Sequence, residues 1–199
     1  MYEFFVYFLN NEEITYLEKN TVFNKKEIIY LFERFGYLDR EKSGGLGLAN
    51  LDTIPEFAAN PFKPLIMNYI EENITHYEKI NFAYFLDFLK IFHHKTSKSA
   101  RINFLFNVFD LNKDHKLCKG VLENIQKIIG IKSDPKSVNE ILTMYDIGQK
   151  GHLDILDFTR LYNEDPDLER NMILDFESHI PKDERRCTVW DILWNDRYD

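Results

Sequence analysis

The chain has 199 residues, 44% of them apolar, and a net charge of −8, with an isoelectric point near 5.3. That length suffices for one compact unit or two closely packed lobes, and the acidic balance excludes the concentrated basic face on which nucleic-acid binding rests. Cys118 and Cys187 lie far apart with no CxxC partner, which argues against a zinc site or disulfide framework and fits a reducing, cytoplasmic compartment.

MYEFFVYFL, residues 1–9, is apolar but far short of the roughly 20 residues that cross a bilayer. It has no basic start and no small-residue cleavage site, so neither a secretory signal nor a transmembrane segment is expected, and Tyr2 stands where N-myristoylation requires glycine. A leading helix is predicted over about Glu12–Lys19, inside an N-terminal segment of residues 1–22. Asn24 with Glu27 makes a capping-box start for a helix that ends near Leu38. The next helix is expected over Leu51–Ala59, stopping before Pro61. Pro64–Glu71 and Phe82–His93 follow, the second with an apolar stripe of Phe82, Phe85, Leu86, Leu89 and Phe92. His94–Ala100 reads as a polar linker, with adjacent His93 and His94 at its solvated end. RINFLFNVF opens the second half, LENIQKII closes at Gly130, Asp134–Pro135 starts the fourth entering helix, and the helix–loop–helix unit it opens ends near Tyr162. Residues 164–199 hold DLERNMILDF and a charged tail.

A repeat of 34 to 37 residues runs through this series. With Asp39, Asn73, Asp110 and Asp146 as position 1 of four loops, position 8 is Leu46, Ile80, Leu117 and Leu153. Positions 13 and 16 are Leu51/Ile54, Phe85/Phe88, Leu122/Ile125 and Phe158/Leu161. All are apolar, a coincidence of roughly a few in a hundred thousand by composition alone. This is EF-hand spacing, in which position 8 pairs neighbouring loops and positions 13 and 16 face inward on the exiting helix. The expected fold is all-α: four EF-hands in two pairs, residues 23–93 and 101–163, joined by short loop–loop β-pairings.

Calcium takes six to eight oxygens, from side chains at loop positions 1, 3, 5 and 12, the backbone at 7, and often a water at 9. The first loop closes on Asn50 and the second on Tyr84, neither of which supplies a bidentate carboxylate. The third keeps Asp110, Asn112 and Asp114, with the Lys116 carbonyl at position 7, but has His115 for the turning glycine and Val121 for the closing acid. Weak calcium or magnesium is expected there if anywhere. In the fourth, Gly148 offers no ligand and Lys150 brings a cation to position 5. Nothing reads as an enzyme: GxSxG, HExxH and a phosphate-cradling loop are absent. Val108, Ile125, Ile129, Leu142, Leu156 and Leu161 are spaced to line the inner faces of the last two hands, a groove for an amphipathic helix. Trp190, Ile192, Leu193 and Trp194 form an apolar cluster in the tail, expected to lie over that groove as a lid.

PEFAANPFK (Pro55–Lys63), FNKKEI (Phe23–Ile28), NVFDLNKD (Asn107–Asp114), the Cys118–Lys119 pair and PDLERNMILDF (Pro166–Phe176) carry a resemblance. They resemble the EF-hand branch of calcineurin B, the calcineurin B-homologous proteins and the calcium- and integrin-binding proteins, and lean towards the last group. The resemblance implies a non-enzymatic regulatory adaptor that binds an amphipathic helix of a partner, such as a membrane-protein cytoplasmic segment or a kinase, and the lost ligands at Val121, Gly148 and Lys150 lead to the expectation of little dependence on calcium. A calcium sensor or buffer using the third loop, and the regulatory subunit of a calcineurin-like phosphatase, are the alternatives.

Overall fold

The computed structural model describes residues 9–54, 57, 60–73, 79–130 and 135–174. The elements run α1 (Asn11–Asn20), α2 (Lys25–Leu38), α3 (Leu48–Leu51), α4 (Lys63–Asn73), α5 (Phe82–Leu89), α6 (Lys98–Phe109), β1 (Leu117–Cys118), α7 (Lys119–Ile128), α8 (Pro135–Tyr145), β2 (His152–Leu153), α9 (Ile155–Glu164) and α10 (Pro166–Asn171). This is the expected all-α EF-hand architecture. Leu46 pairs with Ile80 in an isolated antiparallel bridge, and Leu117 pairs with Leu153 in the β1–β2 ribbon, so the four position-8 residues join the loops two by two.

Helix starts follow local chemistry. Asn24 and Glu27 form the capping box of α2, and Asn10 with Glu13 forms another at α1, which begins slightly earlier than its apolar pattern suggests. The first exiting helix differs from expectation. It is the single turn α3, followed by hydrogen-bonded turns to Ile54, and residues 55, 56, 58 and 59 of the helix expected over Leu51–Ala59 lie outside the described residues. Pro55 accounts for the short helix, because a proline pushes the residue before it, Ile54, away from helical backbone.

Leu51, Ile54, Phe85, Phe88, Leu122, Ile125 and Phe158 are all buried, and Leu161 packs half-buried against them. Aromatic edges run across the two pairs: Phe62 meets Phe109 at 5.3 Å and Phe92 meets Phe104 at 5.7 Å between ring centroids. One continuous core results. The segment after the fourth hand packs back onto the first pair. Met172 is fully buried, Asn60 Nδ2 donates to the Asn171 carbonyl at 2.6 Å, and Leu174 N donates to the Phe92 carbonyl at 2.8 Å.

Residues 94–100 are exposed or half-buried, as a polar linker should be, but the residues that flank them are not. His93 is buried and its Nε2 lies 2.9 Å from Glu27 Oε1. Nδ1 accepts from Lys95 N at 3.1 Å, so the ring proton sits on Nε2. Arg101, also buried, donates to the carbonyls of His93 (3.3 Å) and Thr96 (2.6 Å) and to Glu169 Oε1 (2.5 Å). Polar residues in sequence have become a buried network that ties α2, the linker, α6 and α10 together. The tail residues Trp190, Ile192, Leu193 and Trp194 lie outside the described residues.

Candidate functional site

Three loops share one backbone. Position 4 is left-handed in each, at Lys42 (φ 52°), Lys113 (φ 57°) and Gln149 (φ 54°), and so is position 6, at Gly44 (φ 84°), His115 (φ 60°) and Gly151 (φ 79°). The first aspartate of each loop anchors this turn by accepting backbone N–H groups: Asp39 from Ser43 and Gly44, Asp110 from Asp114 and His115, Asp146 from Lys150 and Gly151. The loops therefore take metal-loop geometry from their own hydrogen bonds.

His115 holds its position at a cost, since a side chain in left-handed backbone is disfavoured by about 1 kcal/mol relative to glycine. Its ring is exposed, and its approach to Asp110 Oδ2, at 3.6 Å, is a surface pair of little worth. His115→Gly is expected to raise stability by about 0.5 kcal/mol in urea denaturation, after the greater freedom of glycine in the unfolded chain is set against the relieved strain. A loss would show that the contact with Asp110 outweighs the backbone.

Closure differs from loop to loop, and the donor chemistry does not suit a tight calcium ion. In the first loop Asn50 is a staple: its Nδ2 donates to the Leu38 carbonyl at 2.9 Å and its Oδ1 accepts from Gly47 N at 2.9 Å. In the second, Asn73 Nδ2 donates back to the Tyr69 carbonyl and Tyr84 is exposed; residues 74–78 lie outside the described residues. In the third loop Asn112 Nδ2 donates to Asp114 Oδ2 and Lys116 N donates to Asp114 Oδ1, both at 2.9 Å, while the Asp110 carboxylate takes the N–H groups of the turn. Its closing residue, Val121, is buried and offers no oxygen. With the Lys116 carbonyl that leaves four protein donor groups, below what calcium requires. In the fourth, Lys150 Nζ bonds Asp154 Oδ2 at 2.5 Å and Asp157 Oδ2 at 2.6 Å. These two hydrogen bonds push the Lys150 ammonium above its ordinary range, and the bond from Lys150 holds Asp154 below the usual carboxylate range.

The expected groove residues divide. Val108 and Ile125 belong to the closed core; Ile129, Leu142 and Leu161 are half-buried; Leu156 is 70% exposed. Met144 and Ile147, not anticipated from spacing, are also exposed, so the open apolar surface of the last hand is formed at its loop edges by Met144, Ile147 and Leu156. Among the described residues no helix is long and apolar enough to cross a membrane.

Loop pairing, loop backbone and helical order together describe an EF-hand protein, and its relatives say which kind. The chain is 32% identical to the type 2 calcineurin B of Dictyostelium discoideum over 155 residues, which are 75% of this chain and 84% of that one. It belongs to the calcineurin B family. The calcineurin B of Candida glabrata is 32% identical over 127 residues, 63% of this chain and 71% of the relative. That of Naegleria gruberi is 31% identical over 121 residues, 61% and 67% of the two chains. No protein-family model matches the sequence. These calcineurin B relatives carry the branch; the finer lean to the integrin-binding group is not among what they support. Each of them is named as a subunit of calcineurin, which fits a regulatory and non-catalytic role.

Proposed function

We propose that this protein is the EF-hand regulatory subunit of a calcineurin-like phosphatase, holding an amphipathic helix of the catalytic chain in the cytoplasm whether or not calcium is present. The observation that carries the reading is the match along 84% of the Dictyostelium calcineurin B in a chain whose paired-loop framework is intact while the closing acids of its first three loops are replaced. Leu156 and Met144 would contact the apolar face of the helix, being 70% and 68% exposed on the last hand. Calcium independence is supported by Asn50, Val121 and Lys150, which stand where calcium requires carboxylates or neutral oxygens.

The test is complex formation between the purified full chain and the catalytic subunit of Dictyostelium calcineurin, measured by calorimetry in calcium and in chelator. A complex of the same affinity, within about threefold, is expected in both, and Leu156→Asp is expected to weaken it about tenfold or more without lowering the melting temperature. Absence of a complex in both conditions would reject the regulatory-subunit role, and a complex only in calcium would reject calcium independence.

A further inference from the structure

The fourth hand carries an arrangement that neither the family nor the helix-binding role explains. Asp154 and Asp157 form the capping box of α9, both carboxylates at one helix N-terminus. Asp157, at loop position 12, is only 4% exposed. Two carboxylates this close, one of them buried, need a cation between them. In a metal-binding EF-hand that cation is the ion, held by positions 9 and 12 with the rest of the loop. Here Lys150 Nζ reaches both, at 2.5 Å and 2.6 Å.

We propose that Lys150 is the resident counter-ion of the fourth hand, its ammonium holding Asp154 and Asp157 as a divalent ion would, so that this loop keeps one conformation at every calcium level. The turn that delivers the lysine is the ordinary loop turn, with Asp146 accepting Lys150 N at 3.0 Å and Gly151 N at 2.7 Å. Gln149 and Gly151 take the left-handed backbone found at the matching positions of the first and third loops. The loop's backbone shape is therefore retained while a lysine ammonium stands in the place of the ion. Competition explains why the exchange is permanent. The amine is tethered four residues from one carboxylate and seven from the other, giving an effective concentration of about millimolar or above, whereas a signalling ion would have to displace it from micromolar solution. Gly148 also withholds the position-3 oxygen an incoming ion would use. A surface Lys–Asp pair alone would mean little; the reach to buried Asp157 is what makes the ammonium part of the hand.

The assignment predicts rescue by ions in a variant and indifference in the wild type. The full-length protein is melted in chelator and in about 2 mM calcium or magnesium, a concentration on the order of the weakest EF-hand sites. Wild type and Lys150→Arg are expected to melt at one temperature in all three. Lys150→Ala is expected to melt about 5 °C lower in chelator and to regain most of that with either ion. Lys150→Asp, which adds a ligand as it removes the amine, is expected to show a larger loss and a larger recovery. In parallel, the amides of residues 146–157 in wild type are followed by NMR as calcium is added, and are expected to stay in place. Lys150→Ala melting with wild type in chelator would overturn the proposal, as would a loss that neither ion repairs. Calcium-dependent shifts of those amides in wild type that persist in Asp110→Ala would also overturn it, which keeps the test decisive should Lys150→Ala fail to fold.

Discussion

Arg101→Ala is expected to lower stability by about 3 kcal/mol, a fall in melting temperature on the order of 10 °C for a chain of this size. The guanidinium is buried and serves three acceptors at once: the carbonyls of His93 and Thr96 and the Glu169 carboxylate. Truncation takes the guanidinium from all three, leaving the His93 carbonyl with the Thr96 N–H and Glu169 with the more distant Lys98 ammonium at 3.9 Å. The Glu169 carboxylate would then face the Tyr162 hydroxyl, which burial first, and Glu169 next, already push above its ordinary range. Because Glu169 sits on α10, the loss should also free that helix, and amides of residues 166–171 should exchange with solvent faster than the rest of the core. Arg101→Lys keeps the charge but not the planar fork, so it should fall between the two. Chemical denaturation and hydrogen exchange measure both effects. A loss under about 1 kcal/mol, with α10 still protected, would mean that the burial of Met172 and the hydrogen bonds at Asn171 and Leu174 hold the segment without Arg101.

A second large effect is expected at Glu27. This fully buried side chain accepts from Asn24 N at 2.6 Å through one oxygen and meets His93 Nε2 at 2.9 Å through the other, so it caps α2 and anchors the end of the first pair together. Glu27→Ala should cost about 2–4 kcal/mol by leaving the buried His93 ring N–H and the half-buried Asn24 N–H unpaired. The same contact makes stability depend on pH. Burial lowers the His93 pKa from its ordinary value of 6.5, outweighing the hydrogen bond to Glu27 that raises it. The folded state therefore binds a proton less readily than the unfolded chain. The stability His93 contributes is complete above its ordinary value and is lost as pH falls through the lowered folded value. Protonation would also put a second N–H on Nδ1, against the Lys95 N–H that now donates to it. Between about pH 7.5 and 5.5, on either side of the ordinary histidine value, urea midpoints should drop more in wild type than in His93→Gln; equal drops would remove His93 as the source.

Residues within one repeat determined most of the framework. Position 8 pairs the loops and positions 13 and 16 fill the core, because one EF-hand places these residues about one helical turn apart and burial demands that all be apolar. The loss of calcium ligands at Asn50, Val121 and Lys150 is equally local, since loop coordination is counted within twelve residues. Only the tertiary structure decided what replaced those ligands and what joined the two pairs. Glu27 meets His93 across 66 residues and Arg101 meets Glu169 across 68, distances at which no periodicity relates one partner to the other. Burial reversed the reading of His93 from a solvated linker end to a core group, because a polar side chain enters the interior only where a specific partner awaits it. The exposed apolar edge was settled in the same way: Val108 and Leu156 share helical spacing with the groove, yet one faces the closed core and the other faces solvent. Spacing assigns a residue to a face of its helix, and the neighbouring helices determine whether that face is covered.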